Sequence, residues 1–590
     1  MMQAASRFAK LPAIVWVIFA AALVHSPALF GEWLWDDHSL IEDVTLGLGE
    51  IWTRPGALAE YYPATHTTYW LERVTVGANP FVAHLVNLLI LLGIGVMLFG
   101  LLKRLNVKGA LLGTALFLVH PVNVEAVAWA SQRKTLLAGL FGLICVRAYL
   151  EFRDRDEQKQ LIVAIGAFVL AVLSKTQIIM LVPVLPLLDW WRGRALDRPG
   201  WVRLAPFAVV ALVGAMVTVQ MEHRVEPVGD IAALTLVDRF LILGATYLDS
   251  IWHVLSPLGH SLVYEPATDY VRFGLLGLPL TVLILVAAIG LRGRNPSLSL
   301  VITSSFLFLL PVSGLIYFPY MAFSPATDRF QFFGNMLVIP GLVAAAITTF
   351  RGQYTQVAIA GWVAIFGLFG LQRSSLFADN EKIWTATAER NPKAWIAHEN
   401  LGLIAKESGG DGLERFEEAW ALSKDALMSG NEVAMSLITS GREAEGFSLL
   451  DEIIAARPKD YQGYVTKGVE LMARERDQEA LQVLSAGLKQ SDSEFHAPIL
   501  LNLATLLATS KDDKVRNLPG AEKLANQLVR EHESTALHLF CLGDIQGHAG
   551  KSQQAVETLN KAIDASIEAG DPETEARARA RIAELERLQG

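Results

Sequence analysis

Residues 11–38, LPAIVWVIFAAALVHSPALFGEWLWDDH, place an apolar run directly before two adjacent acids, Asp36 and Asp37. The run is long enough to cross the hydrocarbon core of a bilayer as a helix. Trp33 and Trp35 flank the acids, and tryptophan concentrates where a membrane meets water. A solvated loop that caps the next helix is the ordinary explanation for an Asp pair. Because acids at the mouth of a membrane helix are costly, we interpret this pair as functional.

The whole chain is too apolar for an ordinary soluble protein. It has 590 residues, 52% of them hydrophobic, and a mean hydropathy of +0.36, which is typical of a membrane protein. Stretches long enough to cross a bilayer predict about eleven transmembrane helices, near 12–30, 81–102, 109–127, 135–152, 160–174, 177–191, 200–221, 273–291, 297–318, 331–350 and 355–372.

The positive-inside rule orients these helices. The basic groups that share one side, and that we therefore place in the cytoplasm, are Arg7/Lys10, Lys103/Arg104/Lys108, Arg153/Arg155/Lys159, Arg192/Arg194/Arg198/Arg203, Arg292/Arg294 and Arg351. We expect the first helix to be a signal anchor rather than a cleaved signal peptide, because its apolar run is longer than a typical signal core and no obvious small-residue cleavage site follows it. Two long loops, 31–80 and 222–272, lie outside. The segment 234–255 is read as an interfacial or re-entrant helix, because counting it as a crossing would put Arg292 and Arg294 outside.

A polar tail follows the predicted membrane domain, 1–372. Residues 373–590 contain 25 Lys and Arg against 36 Asp and Glu, whereas residues 1–372 contain 25 against 23. The tail repeats with the period of roughly 34 residues that is typical of tetratricopeptide repeats. Lys467-Gly468, Ala480 and Gly487 follow that spacing, as do Leu542-Gly543, Ala555 and Ala562. We expect five to six helix pairs in a right-handed α-solenoid, on the outer side, with a concave surface for a partner protein. An unrelated helical bundle is the alternative.

Other chemistry-bearing residues cluster on the predicted outer face. His120 and Glu125 surround Pro121, which should break a helix near the membrane surface, and Arg133 and Lys134 follow at the next crossing. Lys175 and Arg329 occupy two further polar breaks, Ser174–Gln177 and Ser324–Phe330. Cations on the outer side oppose the usual charge bias, so each one requires a partner. A phosphate is a natural partner, and a salt bridge to a neighbouring acid such as Asp328 is the alternative.

Several functional classes lack their sequence signatures. There is no Walker loop, dinucleotide-binding glycine motif or HExxH, and nothing resembles a nucleic-acid-binding stripe. Only Cys145 and Cys541 are present, too few for a disulfide framework or a cysteine metal site. The outer histidines, among them His66 and His223, have no metal-site spacing. We therefore predict no metal ligands, although an Asp-Asp pair could hold a divalent cation.

The chain resembles the transmembrane and tetratricopeptide-repeat O-mannosyltransferase-like proteins of the GT-C superfamily of polyprenyl-phosphate-sugar glycosyltransferases, especially their bacterial relatives. The matching motifs occur in the same order over nearly the whole chain: Trp35-Asp36-Asp37, Tyr62-Pro63, Asn79-Pro80-Phe81, His84-Leu85-Val86-Asn87, His120-Pro121 to Glu125, Ala128-Trp129, Arg133, Leu136 to Gly139, Leu173-Ser174-Lys175 and Asp328-Arg329-Phe330. Two departures are Thr176, where relatives often have Glu, and the segment after Ala326, which replaces a more usual Glu-Arg-Tyr-Leu-Tyr.

The resemblance implies an inverting transfer of a sugar, mannose or a similar hexose, from a polyprenyl phosphate to a hydroxyl. Asp36 or Asp37 would be the general base, and Arg329, with Arg133 or Lys175, would hold the lipid phosphate. The implied location is the bacterial inner membrane, with a cytoplasmic N-terminus and a periplasmic repeat domain. The expected partners are the lipid-linked donor, membrane lipids and an acceptor protein held by the repeats. Alternatives are a glycolipid or envelope-polymer acceptor, or a non-enzymatic membrane-anchored scaffold.

Overall fold

The structure is a computed structural model that describes residues 12–42, 44–58, 60–194, 197–222, 229–352, 354–493, 496–532, 535–569 and 571–589. All regular elements of these residues are helices, so the predicted all-α fold is confirmed for them. The chain divides into two compact units, Met1–Ala397 and His398–Gly590. The first unit extends past residue 372, the predicted boundary: the helix Thr355–Leu376 continues across it, and the helix Asn380–Arg390 also belongs to this unit.

Seven helices of the described residues are long and apolar enough to cross a membrane. They are Ala13–Phe30, Pro80–Arg104, Ala130–Arg155, Arg198–Met221, Ala267–Leu291, Asp328–Thr349 and Thr355–Leu376. The pair Ala110–Val119 and Pro121–Ala128 passes the same test as one span bent by 58°. Three more predicted crossings are shorter apolar helices, Gln158–Ser174, Thr176–Trp191 and Pro296–Val312. The count of eleven crossings and their orientation stay predictions; Arg7 and Lys10 lie outside the described residues.

The bend of the broken pair has a local cause. A residue before proline is pushed out of the helical region, and His120 is extended, with φ −66° and ψ 129°. The freed backbone groups find side-chain partners: His120 Nδ1 accepts from the Val122 amide at 3.1 Å, and Asn123 donates to the Phe117 carbonyl at 2.8 Å. The break therefore turns the segment 124–134 toward the first outer loop without leaving those groups unpaired.

Helices lie in both predicted outer loops. The loop 31–80 contains Leu48–Thr53 and Pro63–Val76. The loop 222–272 contains Gly229–Ala232 and Leu236–Leu255, while 223–228, with His223, lie outside the described residues. Leu236–Leu255 is not among the helices that could span a membrane, and its interfacial or re-entrant placement stays a prediction.

The second unit is an array of antiparallel helix pairs. Including the helix that crosses the unit boundary, the pairs are Trp395–Glu407 with Leu413–Leu422, Leu427–Thr439 with Glu443–Ala456, Gln462–Ala473 with Asp477–Gln490, His496–Thr509 with Leu518–Glu531, and Ala536–His548 with Ser552–Ala569; Pro572–Gln589 follows. Small residues lie at the crossings, as the repeat spacing predicts. A Cβ added at Gly468 would lie 2.6 Å from Leu484, and one at Gly543 would lie 2.8 Å from Leu559.

Candidate functional site

The two acids of the first loop have different surroundings. Asp37 is fully buried, and each of its carboxylate oxygens accepts a backbone N–H, from Leu34 at 3.0 Å and from Ser131 at 2.7 Å. Asp36 is partly exposed and accepts one hydrogen bond, from the Ser131 hydroxyl at 2.9 Å. Asp37 therefore fastens the loop to the segment after the bent helix pair, whereas Asp36 has an oxygen available to a ligand.

Burial and neighbouring charges alter the titration of both acids. Burial raises the pKa of Asp37 to about 8, and the Asp36 carboxylate adds to that rise. Burial also raises the pKa of Asp36, while the positive charges of Lys134 and Arg329 oppose the rise. A carboxylate whose pKa lies nearer the working pH is a better general base than an ordinary aspartate.

Aromatic side chains fix the backbone between the two acids and the membrane helices. Trp35 has a φ of +50°, a left-handed conformation that is rare for a bulky residue and is retained only where surrounding contacts hold it. Its ring stacks on Trp129 with centroids 5.8 Å apart and meets the edges of Phe323 and Trp384. Trp129 also donates to the Leu34 carbonyl at 3.2 Å. The acid loop is thus held from several directions.

Lys134 lies beside the acids and is paired with a residue that the sequence interpretation missed. Its ammonium contacts both oxygens of Glu60, at 2.7 and 2.5 Å. Burial alone would raise the pKa of Glu60, but Lys134 holds it below its ordinary value. Burial lowers the pKa of the nearby His66 to about 4, so that imidazole is neutral at pH 7.

Every N–H group of the Arg133 guanidinium has a partner within the protein. Its side chain is 0% exposed and forms an ion pair with Glu72 at 2.5 Å. The remaining donors reach Asn87, Thr68 and the Ala83 carbonyl, and the guanidinium lies over the Tyr69 ring at 4.2 Å. A guanidinium has five N–H groups, and these contacts use all of them. A phosphate at Arg133 would have to displace them, and the predicted role stays a prediction.

Lys175 has a different environment, because no carboxylate of the described residues forms an ion pair with it. It is 7% exposed, its ammonium donates to the Thr135 hydroxyl at 2.9 Å, and it lies 5.8 Å from the centre of the Phe330 ring. Burial lowers the pKa of Lys175, and the positive charges of Lys134 and Arg329 lower it further. The carboxylates of Glu60 and Glu125 oppose this lowering from a distance, but neither forms an ion pair with Lys175.

Arg329 belongs to a buried network of charges. It pairs with Glu125, donates to Thr327 at 3.0 Å, and lies over the rings of Trp129 and Tyr320. The Glu125 carboxylate is also 3.6 Å from Arg373, which pairs with Asp328 at 2.7 Å. The salt-bridge alternative for Arg329 is thus present, with Glu125 as the partner in place of Asp328.

His120 uses both of its ring nitrogens within the protein. In addition to the bond from Val122, its Nε2 is 3.0 Å from the Val254 carbonyl, which makes Nε2 the protonated nitrogen. Its placement joins the bent helix pair to the second outer loop. Among the described residues, no group of three or more His, Cys, Asp or Glu side chains could hold a metal ion. The alternative of a divalent cation held by Asp36 and Asp37 stays a prediction.

The site thus brings together Asp36, Asp37, Lys134, Lys175 and Arg329. Glu125 pairs with Arg329, His120 contacts the Val254 carbonyl of the second outer loop, and Arg133 pairs with Glu72 of the helix Pro63–Val76. Sequence reasoning missed Glu60, Ser131, Trp384 and Arg373. Arg373 directly follows the predicted membrane stretch 355–372, and a cation at the predicted outer end of a membrane helix was a signal that could have identified it. Ser131 and Glu60 have no distinguishing local pattern.

No protein-family model matches the sequence. A protein O-mannosyl-transferase of Caenorhabditis elegans is 30% identical over 151 residues, which are 24% of this chain and 21% of that protein. The chain therefore spans about a fifth of the curated relative it matches. This partial match supports the mannosyltransferase resemblance loosely; the bacterial and GT-C assignments stay predictions.

Two solved structures are also similar. YrrB, described as a TPR protein with an unusual peptide-binding site, is 16% identical and covers 34% of this chain and 98% of its own, with a TM-score of 0.24. Yeast Tom70 is 11% identical and covers 82% of this chain and 94% of its own, with a TM-score of 0.30. These superpositions are too loose to establish a shared architecture.

Proposed function

We propose that the protein is a membrane glycosyltransferase that moves a hexose, mannose or a similar sugar, from a polyprenyl phosphate to a hydroxyl of an exported protein. The observation that carries the proposal is Lys175, a buried lysine that forms no ion pair with a carboxylate of the described residues and whose protonated form is disfavoured by burial and by the charges of Lys134 and Arg329. A buried charge is costly unless it is paired. A lipid-linked phosphate would supply the missing anion, and Asp36 would lie across the bound sugar from it.

The residues suit an inverting displacement. The acceptor oxygen forms a bond to the anomeric carbon while the bond from that carbon to the phosphate oxygen breaks, and the leaving phosphate keeps the electron pair. The acceptor proton passes to Asp36, which is more accessible than Asp37 and has a raised pKa. Lys175, with Arg329 and Lys134, stabilises the negative charge that develops on the phosphate. Asp37 holds the first outer loop against the segment that contains Ser131, and Arg133 holds the helix Pro63–Val76 beside that loop.

The test uses the purified full-length chain, undecaprenyl-phosphate mannose and a periplasmic extract as acceptor. Asp36→Asn should abolish transfer while donor binding persists. Lys175→Met should weaken donor binding, whereas Lys159→Met, an exposed lysine outside the site, should not. Near-normal turnover by Asp36→Asn would exclude Asp36 as the base and leave Asp37. Unchanged donor affinity of Lys175→Met would overturn the phosphate site.

Two separate measurements identify the class of acceptor and test whether activity requires a divalent cation. Transfer of label to extracted lipid or polysaccharide rather than to protein would favour the glycolipid or envelope-polymer alternative. Loss of activity in EDTA, restored by Mg²⁺ or Mn²⁺, would show that the acid pair holds a divalent cation.

The array of helix pairs after residue 398 favours a second candidate, a membrane-anchored scaffold for envelope assembly. Stacked repeats of this kind present surfaces for partner proteins. Under this alternative, a cell that carries only the Asp36→Asn chain would keep its wild-type phenotype. Under the proposed enzyme function it would behave as a deletion.

A further inference from the structure

One cavity of the first unit, Met1–Ala397, lies away from the acids and cations described above. It has a volume of about 460 Å³ and lies between five helical segments. Its wall along the helix Phe332–Thr349 runs from Phe333 to Thr349, which corresponds to roughly 24 Å at the rise of an α-helix. Since the hydrocarbon core of a bilayer is about 30 Å thick, the cavity follows most of that depth.

The two ends of the cavity differ. At one end the wall consists of buried apolar side chains, including Ile178, Phe308 and Phe333. Gln177 lies beyond that end and donates to the carbonyls of Phe308 and Phe330 at 3.0 and 2.6 Å. Ile178 lines the cavity, whereas Lys175, Thr176 and Gln177 do not.

At the other end the wall is polar and exposed. The residues that line it there are Asn106, Lys108, Asn295, Ser297, Thr348 and Thr349. Basic residues surround this end in sequence: Lys103 and Arg104 precede Lys108, Arg292 and Arg294 precede Asn295, and Arg351 follows Thr349. Lys108 is exposed, and none of the described carboxylates forms an ion pair with it. Arg104 pairs with Asp154, so the opening combines an apolar interior with a polar rim whose lining cation is Lys108.

We propose that this cavity holds an acyl chain of an anionic phospholipid from the leaflet at the basic ends of the helices, with the headgroup phosphate at Lys108. The apolar walls match an acyl chain. Without a ligand the cavity would be a large void, which close-packed protein interiors rarely contain. The rim matches the headgroup, because basic pockets between transmembrane helices bind anionic headgroups. Lys175 does not line the cavity, which argues against a chain that descends from the phosphate site there.

The experiment measures the lipid that copurifies with the full-length chain in mild detergent, by extraction and mass spectrometry. We expect phosphatidylglycerol or cardiolipin to be enriched over phosphatidylethanolamine relative to the source membrane. Val146→Phe and Ala344→Phe, which add bulk to the cavity wall, should each lower the bound amount several-fold. Val286→Phe, on an exposed helix face outside the cavity, should not.

The charge of the rim is tested separately, so that a folding defect in the filled cavity does not decide the result. Lys108→Glu is a surface change, and we expect it to lower anionic lipid several-fold, while the exposed control Lys159→Glu leaves it unchanged. In nanodiscs, phosphatidylglycerol should raise the Tm of the wild type relative to phosphatidylcholine, and Lys108→Glu should reduce that rise. Copurified polyprenyl phosphate in place of phospholipid, no bound lipid, or equal effects of Lys108→Glu and Lys159→Glu would each overturn the proposal.

Discussion

At the scale of single residues, the adjacent acids Asp36 and Asp37 are chemically identical but differ in what they contact. Asp37 satisfies two backbone N–H groups in a fully buried position, while Asp36 binds one hydroxyl and is partly exposed. We infer that the first is a structural anchor and the second the reactive group. A substitution of Asp37 should therefore lower stability, whereas a substitution of Asp36 should lower activity.

We expect Asp37→Asn to lower the free energy of unfolding by about 1–3 kcal/mol, because an amide offers one acceptor oxygen where two N–H donors now bind. Asp36→Asn should leave stability nearly unchanged, since its amide oxygen can still accept from Ser131. Thermal unfolding of the two full-length variants in the same detergent makes the comparison. Equal Tm values for both variants would refute the anchoring role of Asp37.

A second residue-scale prediction concerns pH. The Lys134 ammonium favours the ionised form of Asp36, so Lys134→Met should raise the pKa of Asp36 further. Because the base must be deprotonated to act, the acid limb of the rate profile should move to higher pH, by about 1 unit. Lys134→Arg, which keeps the charge, should restore the wild-type limb. An acid limb that moves to lower pH in Lys134→Met would contradict the assignment of Asp36.

At the scale of elements, close approach of helices sets the geometry of the repeats. Gly468 lies where a Cβ would be 2.6 Å from the fully buried Leu484. Gly468→Val should therefore force the helices Gln462–Ala473 and Asp477–Gln490 apart, at a cost of about 1–3 kcal/mol.

Hydrogen exchange in the full-length chain can localise that effect. Both helices should exchange faster in Gly468→Val than in the wild type, whereas Ser485→Ala, an exposed position on the second helix, should exchange as the wild type does. Unchanged exchange in Gly468→Val would mean that the crossing is not close.

At the scale of the whole molecule, the predicted orientation gives sites that should face opposite sides of the membrane. Cys145 and Cys541 are buried, so single cysteines introduced at exposed positions can report accessibility. Ala57→Cys, in the first outer loop, and Ser440→Cys, in the repeats, should react with an impermeant maleimide added to intact spheroplasts. Gly293→Cys, in a basic turn, should react only after lysis. Reaction of Gly293→Cys in intact spheroplasts would show that the basic turns face outward, opposite to the predicted orientation.

The sequence by itself determined the all-helical architecture, the apolar helices and the repeat spacing. Hydropathy and the period of small residues are properties of contiguous segments, so these features need no knowledge of distant contacts. The motifs also selected the acids and cations of the site. Only the tertiary structure decided which of them are used within the protein: Arg133 is saturated by Glu72 and its neighbours, Arg329 pairs with Glu125, and Lys175 pairs with no described carboxylate. Pairing depends on segments far apart in the chain, and a local pattern does not contain that information.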